Sequence, residues 1–315
     1  MNDKTEERES VADRREFIKG AIAAGAGIAF VGCTAADAPA AADTAAAPRD
    51  PDTLQSDVPR PVMVNGKRML TVDIHCHSEV ADVWPLIEGH EALGGDNPFG
   101  PNPLTRANDV TVRLADMDAT GIDVQALSIS VGQYFHWADR DLAAKIVQVQ
   151  NEKLAEVTAA HPDRFVPLGA VALQHPDLAA AQLEYAVREL GHRGVMITGS
   201  VDGVELSDSR FHPFWAKAEE LDVVVFIHPR GFTEGEARFA GNGRLGNIIG
   251  NPLETTVALS HLIFEGTLDR FPGVKVVAAH GGGFLPSYIG RSDHCHTSND
   301  RGCRGEEQKR PSEYL

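Results

Sequence analysis

Strand-like and helix-like stretches alternate along this chain from Thr71 onward, which predicts a parallel α/β fold. Two further observations support that class. Residues 223–227 and 274–279 are continuous apolar runs, as in strands covered on both faces. Three of the strands also run straight into histidines, and in parallel (β/α) architectures the C-terminal strand ends are where functional residues collect.

The elements follow in order. Residues 71–74 are β-branched and half apolar and predict the first strand. Its period of two puts Asp73, His75 and His77 on one face, with Ile74 and Cys76 on the other. Residues 89–108 are rich in Gly, Pro and Asn and predict a long loop of the kind that covers active sites. A helix is expected over 109–120, with Val112, Leu114, Ala115, Met117 and Ala119 apolar and Gly121 as its stop. Residues 122–129 predict the second strand. Asp139 is the expected N-cap of a long helix reaching His161. Residues 165–173 predict the third strand, and Pro176 opens a helix that Gly191 closes. A short strand is expected at 194–198, a helix at 209–221 and the buried strand at 223–227. A helix over 252–271, with Pro252 at its start, leads to the last strand at 274–279. No repeat is visible.

The 315 residues suffice for one large domain or two small ones, and 43% hydrophobic residues can fill a substantial core. A net charge of -16 argues against nucleic acid as a partner. Any anionic substrate would have to be met by local arginines. The four cysteines are too few and too scattered for a disulfide framework. Cys295 and Cys303, near His294 and His296, leave open a small metal knuckle or a loop disulfide.

The first sixty residues do not read as fold. Arg14-Arg15, then the Gly/Ala-rich apolar run 20–31, match a twin-arginine export signal over residues 1–33. The run is too short for a stable transmembrane helix. Phe30-Val31-Gly32-Cys33 is similar to a lipobox. The alternatives are a lipid anchor on Cys33 and plain cleavage among the following alanines. Residues 34–60 are an Ala/Pro/Asp-rich linker, and 61–315 form the folded domain. The expected location is periplasmic or membrane-tethered.

His75 and His77 end the first strand, His228 follows residues 223–227, and His280 follows residues 274–279. Neutral imidazoles are the commonest protein ligands for zinc-like ions. Four histidines placed by one rule therefore predict a metal centre, with Asp73 as a carboxylate able to orient one of them. His136 and His90 lie in loops that could approach it; the other histidines read as helix and helix-end residues. His280-Gly281-Gly282-Gly283 could also be the oxyanion loop of an α/β-hydrolase, but no Gly-x-Ser-x-Gly elbow accompanies it.

Together these stretches resemble the amidohydrolase superfamily, in particular the branch related to aminocarboxymuconate-semialdehyde decarboxylase. The matching segments are Val72-Asp73-Ile74-His75-Cys76-His77, His161-Pro162-Asp163-Arg164-Phe165, Phe226-Ile227-His228-Pro229, Gly250-Asn251-Pro252-Leu253-Glu254-Thr255-Thr256, and Ala279-His280-Gly281-Gly282-Gly283 through Pro286 to Arg291. The resemblance implies a distorted TIM (β/α)8-type barrel with one divalent metal, usually zinc, with manganese as the alternative. It implies His75, His77 and His228 as ligands and His280 as the acid/base residue that handles a metal-bound water. It also implies Arg291 gripping a substrate carboxylate, in relatives often across a homodimer interface.

Two departures qualify the resemblance. Arg230 stands where the decarboxylase often has tryptophan, which points to an altered, acidic substrate; the second carboxylate-binding arginine has no clear match, Arg106 being only nearby. Relatives continue beyond the position of Leu315 with two more strands, the last bearing an aspartate ligand. The six strands read here, against the eight of such a barrel, lead us to expect open sheet edges and weak or no activity. The leading reading is a metal-dependent carboxy-lyase acting on a small unsaturated or aromatic acid. The rivals are a hydrolase of the same family, acting on a lactone or C–N bond, and an inactive exported remnant.

Overall fold

β-Branched runs flanked by capped helices build a six-stranded parallel sheet. The structure, a computed structural model, describes residues 61–95, 109–298, 300 and 302–315. The export signal, Cys33, the linker and Arg106 lie outside the described residues. A small hairpin, Met63–Val64 with Lys67–Arg68, precedes the first strand. The strands are β1 (Val72–Ser78), β2 (Val124–Ile129), β3 (Phe165–Pro167), β4 (Gly194–Ile197), β5 (Val224–Ile227) and β6 (Lys275–Ala278). The helices between them are α1 (Val110–Thr120), α2 (Arg140–Ala160), α3 (Pro176–Arg188), α4 (His212–Glu220) and α5 (Asn251–Phe264), with α6 (Leu285–Thr297) after β6.

The strands pair in chain order. β1–β2–β3 form one run and β4–β5–β6 another, every pair parallel. A parallel bridge from Gly169 to Val195 joins the two runs. Among the described residues β1 pairs only with β2 and β6 only with β5, so these two are the edges. The sheet is curled: the rings of His75, on β1, and His280, just past β6, lie 5.5 Å apart.

The pleat sorts the core into two layers, because alternate residues of a strand face opposite sides. Met196 and Phe226 point to the side of the histidines, whereas Leu127, Ile129 and Phe165 face the helices, in one cluster with Met117, Ile146 and Leu154 of α1 and α2. Val195, Val225 and Ile227 also point to the helix side, onto Trp215, Phe211 and Leu183. Helix starts are fixed as the residue types dictate. Asp139 accepts the Leu142 N–H and Asp109 accepts the N–H groups of Thr111 and Val112. Gly121, at φ 75, ends α1.

Three elements differ from expectation. β1 extends four residues further, to Ser78, with a register shift between Asp73 and Cys76, so both histidines lie inside it. β3 stops at Pro167: proline offers no N–H to the ladder, and the Asn151 side chain instead takes the Ala170 N–H. The helix expected over 252–271 breaks after Phe264, where Gly266 adopts φ 70, and resumes only as Thr267–Arg270. At the other end, Cys295 and Cys303 form a disulfide, which resolves their role in favour of the loop bridge. The segment after it docks back on α6, where Asp293 accepts the Ser312 N–H.

Candidate metal centre

Each of the four strand-end histidines is fixed by backbone chemistry, and together they converge. In β1 the Asp73 carboxylate accepts the His75 backbone N–H at 3.1 Å, holding the shifted register. That is the bond Asp73 makes here; it orients the chain rather than an imidazole ring. The Nε2 atoms of His75 and His77 then stand 3.1 Å apart. His228 follows β5, where its N–H donates to Ile197 across the sheet. Its Nδ1 lies 2.8 Å from the Pro229 carbonyl, a bond that requires Nδ1–H and leaves Nε2 as a lone-pair donor.

His280 sits at φ 56, in the left-handed region that a histidine rarely adopts. The turn that imposes this is tight: a Cβ on Gly283 would lie 2.1 Å from the Pro252 carbonyl oxygen. The Phe284 N–H donates to Thr256 Oγ1, which fastens the turn to the start of α5. Thr255, next along that helix, brings its hydroxyl to 3.4 Å from His280 Nδ1. Strain at a position so firmly held is a mark of functional sites.

The rings of His75 and His228 are 4.7 Å apart, those of His77 and His228 4.8 Å, and those of His228 and His280 5.1 Å. Ring nitrogens of His75, His228 and His280 all lie within 4.8 Å of one another. The structure thus brings together all four histidines, with the His280 ring 5.1 Å from His228 and 5.5 Å from His75, slightly outside the three residues expected to be ligands. Burial, reinforced by the neighbouring histidines, pushes His77 down to about 4 and His228 to about 3. Burial also lowers His75 and His280, the latter with help from His75. All four are therefore neutral at pH 7, which is the form that binds a metal. Converging neutral imidazoles, one with its tautomer already set, fit a divalent metal. The donors are imidazoles alone among the described residues.

The two arginines fare differently. Arg230 donates to the Tyr134 carbonyl at 3.3 Å and lines a cavity of about 530 Å³ at the same end of the sheet. Arg291 is exposed on α6, in a hollow with Phe264, Cys295 and Cys303 that contains none of the four histidines. His90 stacks on Trp137, ring centroids 4.1 Å apart, as a packing residue. His136 is buried in the wall of the Arg230 cavity. Ser200 and Glu254 in that wall were missed by inspection of the sequence. Glu254 lay inside a matching segment, but nothing in the residue order marked it as buried and cavity-facing.

With this geometry in view, the relatives become informative. Residues 72–298 match the amidohydrolase family. The 2-amino-3-carboxymuconate-6-semialdehyde decarboxylase of Dictyostelium discoideum is 29% identical over 269 residues, covering 79% of this chain and 73% of the relative. The gamma-resorcylate decarboxylase of Rhodococcus jostii (strain RHA1) is 36% identical over 194 residues, covering 58% of this chain and 59% of the relative. Among solved structures, a dihydroxybenzoic acid decarboxylase from Polaromonas sp. JS666, with bound manganese and the inhibitor 2-nitroresorcinol, superposes with a TM-score of 0.64. It is 27% identical, over 78% of this chain and 75% of that one. The chain thus spans from under two thirds to about three quarters of the length of these proteins.

Proposed function

The chain belongs to the amidohydrolase family, and from that premise we propose that it is a metal-dependent decarboxylase of a small aromatic or unsaturated carboxylic acid. The observation that carries this reading is the convergence of His75, His77, His228 and His280 at the C-terminal ends of parallel strands. The decarboxylases among its relatives support it.

His75, His77 and His228 would hold the metal, which when bound supplies Lewis acidity toward a substrate oxygen. An all-imidazole set favours zinc, while a solved relative holds manganese. In the reaction the bond between the ring carbon and the carboxylate breaks, carbon dioxide leaves, and the ring carbon keeps the electron pair and takes a proton. His280 is the residue placed to move that proton. Thr255 faces its Nδ1, and burial, with His75 nearby, lowers its pKa and keeps the ring neutral, the form that can accept a proton. Arg230 offers a planar fork for the carboxylate. Arg291, exposed on α6, is proposed to serve the site of a second subunit in a homodimer. The twin arginines and the Cys295–Cys303 disulfide, a bond that persists in oxidising compartments, support export. Cys33 is the proposed point of lipid attachment.

The test is to incubate the metal-loaded protein with 2,6-dihydroxybenzoate and related acids and to measure carbon dioxide. Its release, abolished together with metal binding in His75→Ala, is expected. Ring opening without carbon dioxide would favour a hydrolase of the same family. Failure to bind any metal would leave only the inactive remnant.

A further inference from the structure

The cavity that Arg230 lines is a site in its own right. It opens at the C-terminal ends of β4 and β5, and none of the four histidines belongs to its wall. Two links tie it to them: Arg230 is two residues beyond His228, and Glu254 precedes the Thr255 that faces His280. Its floor is polar and closed. His136 is 7% exposed, and its Nε2 has no hydrogen-bond partner. Glu254 is 8% exposed and accepts a 2.9 Å bond from the Ser200 hydroxyl. Its rim is acidic and open, formed by Asp202, Glu205 and Glu234. Among the described residues Arg230 is the one arginine or lysine in this wall; the imidazoles of His136 and His261 lie 3.8 Å from Asp202 and 3.7 Å from Glu205.

We propose that this cavity receives the ring of the substrate distal to the scissile carboxylate, and that its three rim carboxylates select aromatic monoacids bearing neutral hydroxyl groups over aromatic diacids. The proposal rests on the decarboxylase reading and refines it. Arg230 can neutralise one carboxylate. A second would have to sit against Asp202, Glu205 and Glu234 with no further arginine or lysine of the wall to meet it, and like charges brought together in a partly desolvated cleft repel. A neutral hydroxyl suffers no such repulsion, and finds a carboxyl group and an imidazole with hydrogen-bonding capacity on the floor. The protein already registers this field: burial, with Glu205 and Glu234 adding to it, raises the Glu254 carboxyl above its usual range.

Calorimetric titration of the full, manganese-loaded chain with 2,6-dihydroxybenzoate and with 5-carboxyvanillate tests the proposal without requiring turnover. We expect the monoacid to bind at least tenfold more tightly, a gap of about 1.4 kcal/mol. In D202N/E205Q/E234Q the gap should close, chiefly through tighter binding of the diacid. The rim residues are partly or fully exposed, so the variant should fold, and its melting curve checks this. High salt in the wild-type protein should narrow the same gap by screening, which gives a second reading free of mutation. Equal or tighter binding of the diacid by the wild-type chain would overturn the proposal, as would a gap that neither the variant nor salt changes. Selective binding without carbon dioxide release would instead sink the decarboxylase reading and leave the selectivity of the cavity standing.

Discussion

The middle of the sheet and its two edges are made of similar residues and live in different surroundings. In β4 and β5, Val195, Met196, Val225, Phe226 and Ile227 are sealed from solvent. In β1, Val72 is 52% exposed, and β6 is covered only in part along its length. The difference follows from pairing: a central strand has neighbours on both sides and helices over it, an edge strand has a row of unpaired amides. Yet His75 and His77 hang on one edge and His280 follows the other, while only His228 grows from the middle. The metal centre therefore joins the least protected strands to the most protected one.

The sharpest way to break the comparison is Phe226→Ala. Phe226 is buried against Met196 and lies 5.8 Å from the His75 ring by centroid. Its loss should cost roughly 3–5 kcal/mol, since a large cavity would open where no neighbour can collapse. Urea unfolding would measure it. A cost under about 1 kcal/mol would mean that the centre is no better packed than the edge.

Metal addition should act in the opposite sense, and chiefly at the β1 edge. An ion held by His75, His77 and His228 would tie β1 to the end of β5 and would have to be released before β1 can peel away. At a thousandfold excess over its dissociation constant it would add about 4 kcal/mol of apparent stability. Hydrogen exchange should then slow more in β1 than in α4. Uniform slowing would show that this edge was never locally open.

Acid should loosen the middle. His192, just before β4, is buried with its Nε2 3.1 Å from the Asn151 carbonyl, and burial pushes its pKa down to about 4. A histidine held neutral in the folded state binds its proton more readily when unfolded. Its contribution is therefore intact above the unfolded value near 6.5 and is lost as pH falls from there toward 4. The sum is roughly 3 kcal/mol. Stability measured across that window should fall in the wild-type protein and fall less steeply in His192→Phe. Equal slopes would assign the acid sensitivity to other buried histidines.

How much of this was legible in the residue order follows the same division. The six strands and their parallel arrangement could be read because apolar runs and capped helices are local signals: Asp139, Gly121 and the run at 223–227 each carry their own instruction. The four histidines could be read because each stands at or just after a strand-like run, although the first strand continues to Ser78. What was hidden depended on contacts between distant segments. Gly266 breaks a helix that composition alone would have continued, and Pro167 ends a strand that looked longer. The acid-rimmed cavity draws His136, Asp202, Arg230 and Glu254 from four separate loops and helix ends, and no spacing rule joins them.

The smallest expected effect is the most direct probe of the edge. Val72 forms part of an exposed apolar strip with Met69 and Leu70, leading into the open side of β1. Val72→Lys should change folding stability by less than about 0.5 kcal/mol, because a half-exposed edge valine loses little packing. It should nevertheless reduce concentration-dependent association, since an edge lysine discourages strand addition between molecules. Light scattering read beside urea unfolding separates the two effects. A stability loss of 2 kcal/mol or more would show that β1 is covered in solution, and the contrast between edge and middle would then have to be drawn elsewhere. Unchanged stability with reduced association would place the weakness of this fold at the strand that carries two of its four histidines.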